Sequence, residues 1–203
     1  MSLDKNCPSL QAVLAKYRLN TDYWQWHLHP PLTTTLNIEL KRKDVKLTKC
    51  LQLNLQHSRM ATANLTHILL HNNIDIAFVQ EPYTLLNKVA GFPKDFKVFT
   101  WGRDRIRSAI IINNNDLDVI AITQLSHEDA ILTEFRYEGL QFYGDSLYLP
   151  IDKDIERDLG SIDKIIRLTK GEGLLLALDS NARRKILSDT HTKAREEKWR
   201  ASK

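Results

Sequence analysis

The sequence is short of several things, and each shortage removes a class of answers. No apolar run approaches the ~20 residues that span a bilayer. The longest are Ala109-Ile110-Ile111-Ile112 and Leu174-Leu175-Leu176-Ala177-Leu178. The opening stretch carries Asp4, Lys5, Cys7 and Pro8 where a secretory signal would have its apolar core, so no signal is expected. Two cysteines, Cys7 and Cys50, cannot frame a disulfide scaffold, and a reduced intracellular setting is the expectation. With Trp24, Trp26, His27 and His29 they fit no zinc-ligand spacing. No internal repeat is visible. What is present suits a folded chain: 203 residues, 42% hydrophobic and 27% charged, enough for one domain or one domain with a tail.

The formal net charge is +4, with a pI of about 9.0, a mild bias toward an anionic partner. It is unevenly placed. From Arg183 onward there are eight Lys or Arg against Asp189, Glu196 and Glu197. A second cluster, Lys41-Arg42-Lys43 with Lys46 and Lys49, precedes the first clear strand. Both read either as solvated flanks or as contacts to nucleic-acid phosphates.

Residues 1–48 read as a linker or irregular arm, with Pro8, Pro30, Pro31 and the Thr33-Thr34-Thr35 tract. A short helix over 9–18 fits the spacing of Leu10, Val13, Leu14 and Tyr17. From residue 49 the order becomes strand, helix, strand. Leu51, Leu53 and Leu55 alternate with Gln52, Asn54 and Gln56, the period of a half-buried strand. Ser58 can cap a helix to Asn72 that lines up Ala61, Leu65, Ile68 and Leu69. Ile74–Val79 suits a buried strand. Strands are then predicted over 96–100, 107–113, 117–124, 129–136 and 140–148. Asn113–Asp116 and Glu138-Gly139 read as hairpin turns between them. A helix over 152–169 and a buried strand from Leu174 to Leu178 complete an α/β sandwich of mixed sheets with helices outside.

Polar residues at the ends of such strands are the candidates for chemistry. Glu81, after Ile76-Ala77-Phe78-Val79, could hold a hard cation or simply be a solvated Glu before a proline turn. Asp179-Ser180-Asn181 is a site pair or a turn opener. Tyr148 closes a strand either as a core tyrosine or as a site residue, and Asn54 lies on the polar face of its strand. Arg103, Arg105 and Arg107 are spaced by two, so on an extended chain they share one face, as a grip on DNA phosphates or as charge guarding a strand edge. Trp101 beside them is a base-stacking candidate or a partly buried core residue.

Four stretches together resemble one family. Leu51-Gln52-Leu53-Asn54-Leu55-Gln56-His57-Ser58, Val79-Gln80-Glu81-Pro82-Tyr83, Ser146-Leu147-Tyr148-Leu149-Pro150 and Leu178-Asp179-Ser180-Asn181-Ala182 resemble the endonuclease domain of non-LTR (LINE-type) retrotransposons, most of all the site-specific arthropod elements. Gly102-Arg103-Asp104-Arg105 to Ile112 and Thr123–Ala130 read like the same group, and the likeness runs over residues 49–195. Those domains are similar to apurinic endonucleases, within the endonuclease/exonuclease/phosphatase superfamily.

The resemblance implies a four-layer α/β sandwich with two mixed, largely antiparallel sheets, here incomplete. It implies that Glu81 binds Mg²⁺ or Mn²⁺ and that Asn54 shapes the metal environment and meets a phosphate oxygen. Asp179 would position and deprotonate the attacking water, Asn181 would orient the scissile phosphate, and Tyr148 would stabilise developing charge. The implied chemistry is hydrolytic nicking of DNA, in the nucleus if functional, with no membrane partner. An alternative is a catalytically dead DNA-binding module; a phosphatase for a small substrate fits the stretch 102–130 less well.

The family pattern also includes a later Asp and a closing Ser-Asp-His. Ser188-Asp189-Thr190-His191 is not that motif, and it lies too close to Asp179. The expectation is therefore a C-terminally shortened fragment over 49–203 whose nicking is weak or lost, with no reverse transcriptase in the chain.

Overall fold

The computed structural model of the chain describes residues 48–137, 140–150, 155–169 and 172–179. The arm before Thr48, Asn181, His191 and the basic segment from Arg183 lie outside the described residues. Construction starts with β1 (Cys50–Asn54), whose alternation divides its side chains between two faces. Leu51, with Leu55 just past the strand, meets Leu65 and Leu69 of α1 (Arg59–His71). Burying each such leucine is worth roughly 1.5–3 kcal/mol. Ser58 starts the helix by accepting the Ala61 N–H on its hydroxyl at 3.2 Å, as the sequence predicts. The helix is the crossover that lets β2 (Ile76–Gln80), buried throughout, lie parallel to β1.

The small hairpin β3 (Thr84–Leu85) and β4 (Lys88–Val89) follows, then β5 (Lys97–Thr100) and β6 (Ser108–Ile112). The first sheet runs β1-β2-β6-β5, antiparallel beyond the β1–β2 pair. Next come β7 (Asp118–Ala121), a 3-10 turn at Thr123–Leu125, β8 (Ala130–Tyr137), β9 (Leu140–Tyr148), α2 (Ile155–Leu168) and β10 (Gly173–Asp179). They make the second sheet, β10-β9-β8-β7, again with one parallel pair, β10 with β9.

Phe78, Ile110 and Ile112 of the first sheet pack on Ile131, Phe135, Phe142 and Leu175 of the second. Gly144 lets them approach: a Cβ there would fall 2.7 Å from Phe135 and 2.8 Å from Phe78. On the far side of the second sheet, Ile162 and Ile165 of α2 close over Leu132, Leu147, Leu149 and Leu174. Helix, sheet, sheet, helix gives the four-layer sandwich.

One expected turn is corrected. Asn113–Asp116 does not fold a hairpin, because β6 and β7 belong to different sheets. The Asn113 side-chain amide donates to the Leu69 and Ile74 carbonyls at 3.2 and 3.1 Å, and that of Asn114 donates to Asp75 at 2.8 Å. Those bonds tie the segment to the α1–β2 corner as the chain crosses between sheets. The strand expected over 117–124 ends at Ala121, and a 3-10 turn takes over at Thr123.

Candidate active site

The two parallel pairs end on the same side of the sandwich. Asn54 is the last residue of β1, Asp179 the last of β10, Tyr148 the last of β9, and Glu81 follows β2 directly. Asn54 joins the carboxylates. Its Nδ2 donates to Glu81 Oε2 at 2.9 Å and to Asp179 Oδ2 at 2.6 Å. Its Oδ1 accepts the Gln56 backbone N–H at 2.7 Å, which fixes which end of the amide faces the acids. Residues 125 apart in the chain thus meet through one side chain.

A polar spine under this cluster locks the sheets together. Gln80 Nε2 donates to Ser146 Oγ at 3.1 Å and to the Ala177 carbonyl at 3.0 Å, while Ser146 donates to the Val79 carbonyl at 3.0 Å. The polar side of β1 is accordingly no solvent face: Gln52 donates to Gln80 at 3.4 Å, between the sheets.

Glu81 takes left-handed backbone at φ 47, and so do Gln56 and His57 nearby, at φ 49 and 54. Non-glycine residues held there cost about 1–3 kcal/mol each and gather where a site needs an exact turn. Two bonds hold the turn: the Glu81 N–H donates to the Arg107 carbonyl and the His57 N–H to the Glu81 carbonyl, each at 2.8 Å. His57 Nδ1 donates to the Pro82 carbonyl at 3.0 Å, leaving Nε2 3.7 Å from Glu81 Oε1.

Arg107 departs from its predicted setting. It shares no outer face with Arg103 and Arg105, which are exposed in the loop before β6. Its side chain is 2% exposed, ion-paired with Asp129, 3.7 Å from Glu128 and 5.1 Å above the Tyr148 ring centre. The loop explains the difference, since Gly102 at φ 125 bends a stretch that the spacing argument takes as extended. Arg107 thus links the Glu81 backbone, through its carbonyl, to the Tyr148 ring, through its guanidinium. Sequence reasoning missed this; the signal was an arginine opening a buried strand, matched by the acid pair Glu128-Asp129. Tyr148 is half-buried, with its N–H on the Asp129 carbonyl at 2.8 Å. Trp101 is exposed rather than part of the core.

Among the described residues no group of three His, Cys, Asp or Glu forms a metal cage. The donor chemistry at the strand ends still suits Mg²⁺, a hard ion that keeps much of its water and takes one or two carboxylates. Glu81 and Asp179, brought together on one amide, meet that requirement.

No protein-family model matches the chain, and no curated protein does. Solved structures do. The endonuclease domain of TRAS1, a telomere-specific non-LTR retrotransposon, is 27% identical with a TM-score of 0.61, over 73% of this chain and 67% of that one. A humanized D. rerio TDP2 aligns at 13% identity and a TM-score of 0.50, over 71% and 65%. An endonuclease/exonuclease/phosphatase family protein from Bacteroides thetaiotaomicron aligns at 14% identity and a TM-score of 0.49, over 73% and 68%. The chain spans about two thirds of the length of each. The retrotransposon endonuclease domain is the strongest of these three likenesses, and the chain shares its α/β sandwich fold.

Proposed function

We propose that the chain derives from a DNA-nicking endonuclease of the retrotransposon type, hydrolysing a phosphodiester with Mg²⁺ or Mn²⁺. The observation that carries the reading is the junction of Glu81, Asn54 and Asp179 across the two sheets. The likeness to a retrotransposon endonuclease domain supports it. Glu81 would hold the ion, which when bound supplies positive charge to a phosphate oxygen and to the leaving oxygen. Asn54 orients both carboxylates through its amide, so neither has to be ordered as substrate arrives. Asp179 would take the proton of the attacking water. Tyr148, steadied by the Arg107 guanidinium at 5.1 Å, would face the developing charge. Asn181 keeps the phosphate-orienting role the resemblance gives it, and Arg103 and Arg105 are exposed for phosphate contact.

One positioned acid–base group contributes about 10²–10⁴ in rate. A module that binds DNA without cutting it is the second reading, favoured by the exposed Arg103 and Arg105. The test is nicking of supercoiled plasmid with Mg²⁺ or Mn²⁺ beside Glu81→Gln and Asp179→Asn. Nicking by the parent that falls at least about 10²-fold in both variants supports hydrolysis at this site. Nicking that survives both substitutions overturns it, and no nicking by folded parent leaves the DNA-binding module.

A further inference from the structure

The hairpin that leaves the Glu81 end of β2 has a strained, apolar tip. Thr84 pairs with Val89 and Leu85 with Lys88. Between them Leu86 and Asn87 both take left-handed backbone, at φ 52 and 58. Two-residue turns of that hand favour Asn-Gly or Asp-Gly, whereas a leucine brings its Cβ against the neighbouring carbonyl. Packing returns nothing for this strain, because Leu86 is 89% exposed and Leu85 58%.

The base, by contrast, is fixed. The Ala90 N–H donates to the Tyr83 carbonyl at 3.0 Å, and Val89 and Phe92 pack on the core between α1 and the first sheet. Gly91 lies so near α1 that a Cβ would fall 2.9 Å from Thr62 Cγ2. From Pro82 to Lys94 the chain carries Lys88 and Lys94, both exposed, and no acid.

We infer that the Leu86 tip is a wedge that enters between base steps of duplex DNA beside the strand-end cluster, with Lys88 on the phosphates. The inference rests on the DNA reading above and adds a contact that reading lacks. A base step offers the leucine the apolar contact that water does not, and side chains of this kind unstack and kink a duplex. A basic flank without acids suits the phosphates on either side. The rigid base lets the unstacking force be borne by the hairpin rather than absorbed by a loose loop.

The test separates turn geometry from wedging. The double variant Leu86→Asn, Asn87→Gly gives the turn its preferred sequence, and Leu86→Phe keeps an apolar tip. Each full chain is melted and titrated into a labelled duplex carrying 2-aminopurine, in EDTA so that cleavage plays no part. The double variant is expected to melt at or above the parent yet bind about ten- to hundredfold more weakly, without the fluorescence rise of unstacking. Leu86→Phe is expected to keep both. Equal binding and unstacking by parent and double variant overturn the wedge and leave the nicking reading standing. Loss of self-association at unchanged DNA affinity assigns the tip to a second copy and also overturns it. A folded parent that binds no duplex overturns both readings.

Discussion

Asp129 and Asp145 lie at two regions of the second sheet, at 1% and 0% exposure, in opposite company. Asp129, at the site end, is ion-paired with buried Arg107, and its backbone carbonyl accepts the Ser108 hydroxyl at 2.7 Å and the Tyr148 N–H at 2.8 Å. Asp145, mid-strand in β9, has among the described residues no hydrogen-bond partner for either carboxyl oxygen. It stands in register with Leu132 of β8 and Leu176 of β10, which belong to the apolar layer under α2. Burial pushes its carboxyl from 3.8 up to about 8, so near neutrality it keeps its proton. The sandwich therefore treats charge differently at its two regions. At the strand ends charge is paired and used to aim backbone and rings; under the helix it is suppressed.

The largest expected effect comes from Asp145. The unfolded chain releases this proton near pH 4 and the folded chain only near pH 8, so between those values the folded state binds more protons. Stability then falls as pH rises across that window, with a limiting slope of about 1.4 kcal/mol per pH unit. Asp145→Asn removes the slope without changing the shape of the side chain. Urea denaturation at a series of pH values checks this, and an equal slope in parent and variant would dissolve the contrast with Asp129.

Arg107 gives the next largest effect. Arg107→Met leaves Asp129 buried without its cation and is expected to cost about 3–5 kcal/mol. Adding Asp129→Asn should recover much of that loss, because the penalty belongs to the stranded charge. Denaturant midpoints of the two single variants and the double variant measure the coupling. Simple additivity would mean that the pair positions nothing.

How much of this was legible depended on how local each cause is. The Ser58 cap, the stripe on α1 and the apolar runs of β2 and β10 are short-range patterns, and the structure follows them to within a residue or two. Glu81 and Asp179 were candidates as polar residues ending apolar strands, each with an ordinary turn or solvent reading beside it, and Asn54 was unremarkable by itself; the family resemblance singled out all three. Their meeting on one amide depends on how two sheets stack, which no window of sequence contains. Arg107 misled because a spacing of two means one face only on an extended chain. The β3–β4 turn escaped notice because Leu86-Asn87 lacks the glycine that announces such turns. The crossing at Asn113–Asp116 looks like any polar hairpin until the carbonyls of Leu69 and Ile74 are seen to need its amides. Asn181 lies outside the described residues, and its role rests on the resemblance alone.

The central claim is that Glu81 and Asp179, joined by Asn54, form one unit that holds a hard divalent cation. Mn²⁺ titration of the folded chain, read by electron paramagnetic resonance beside Glu81→Gln, Asp179→Asn and the double variant, tests it most directly. The account predicts saturable binding at one site, lost in Glu81→Gln and weakened in Asp179→Asn, with the double variant no worse than Glu81→Gln alone. Mn²⁺ binding of equal strength in the parent and all three variants would contradict it.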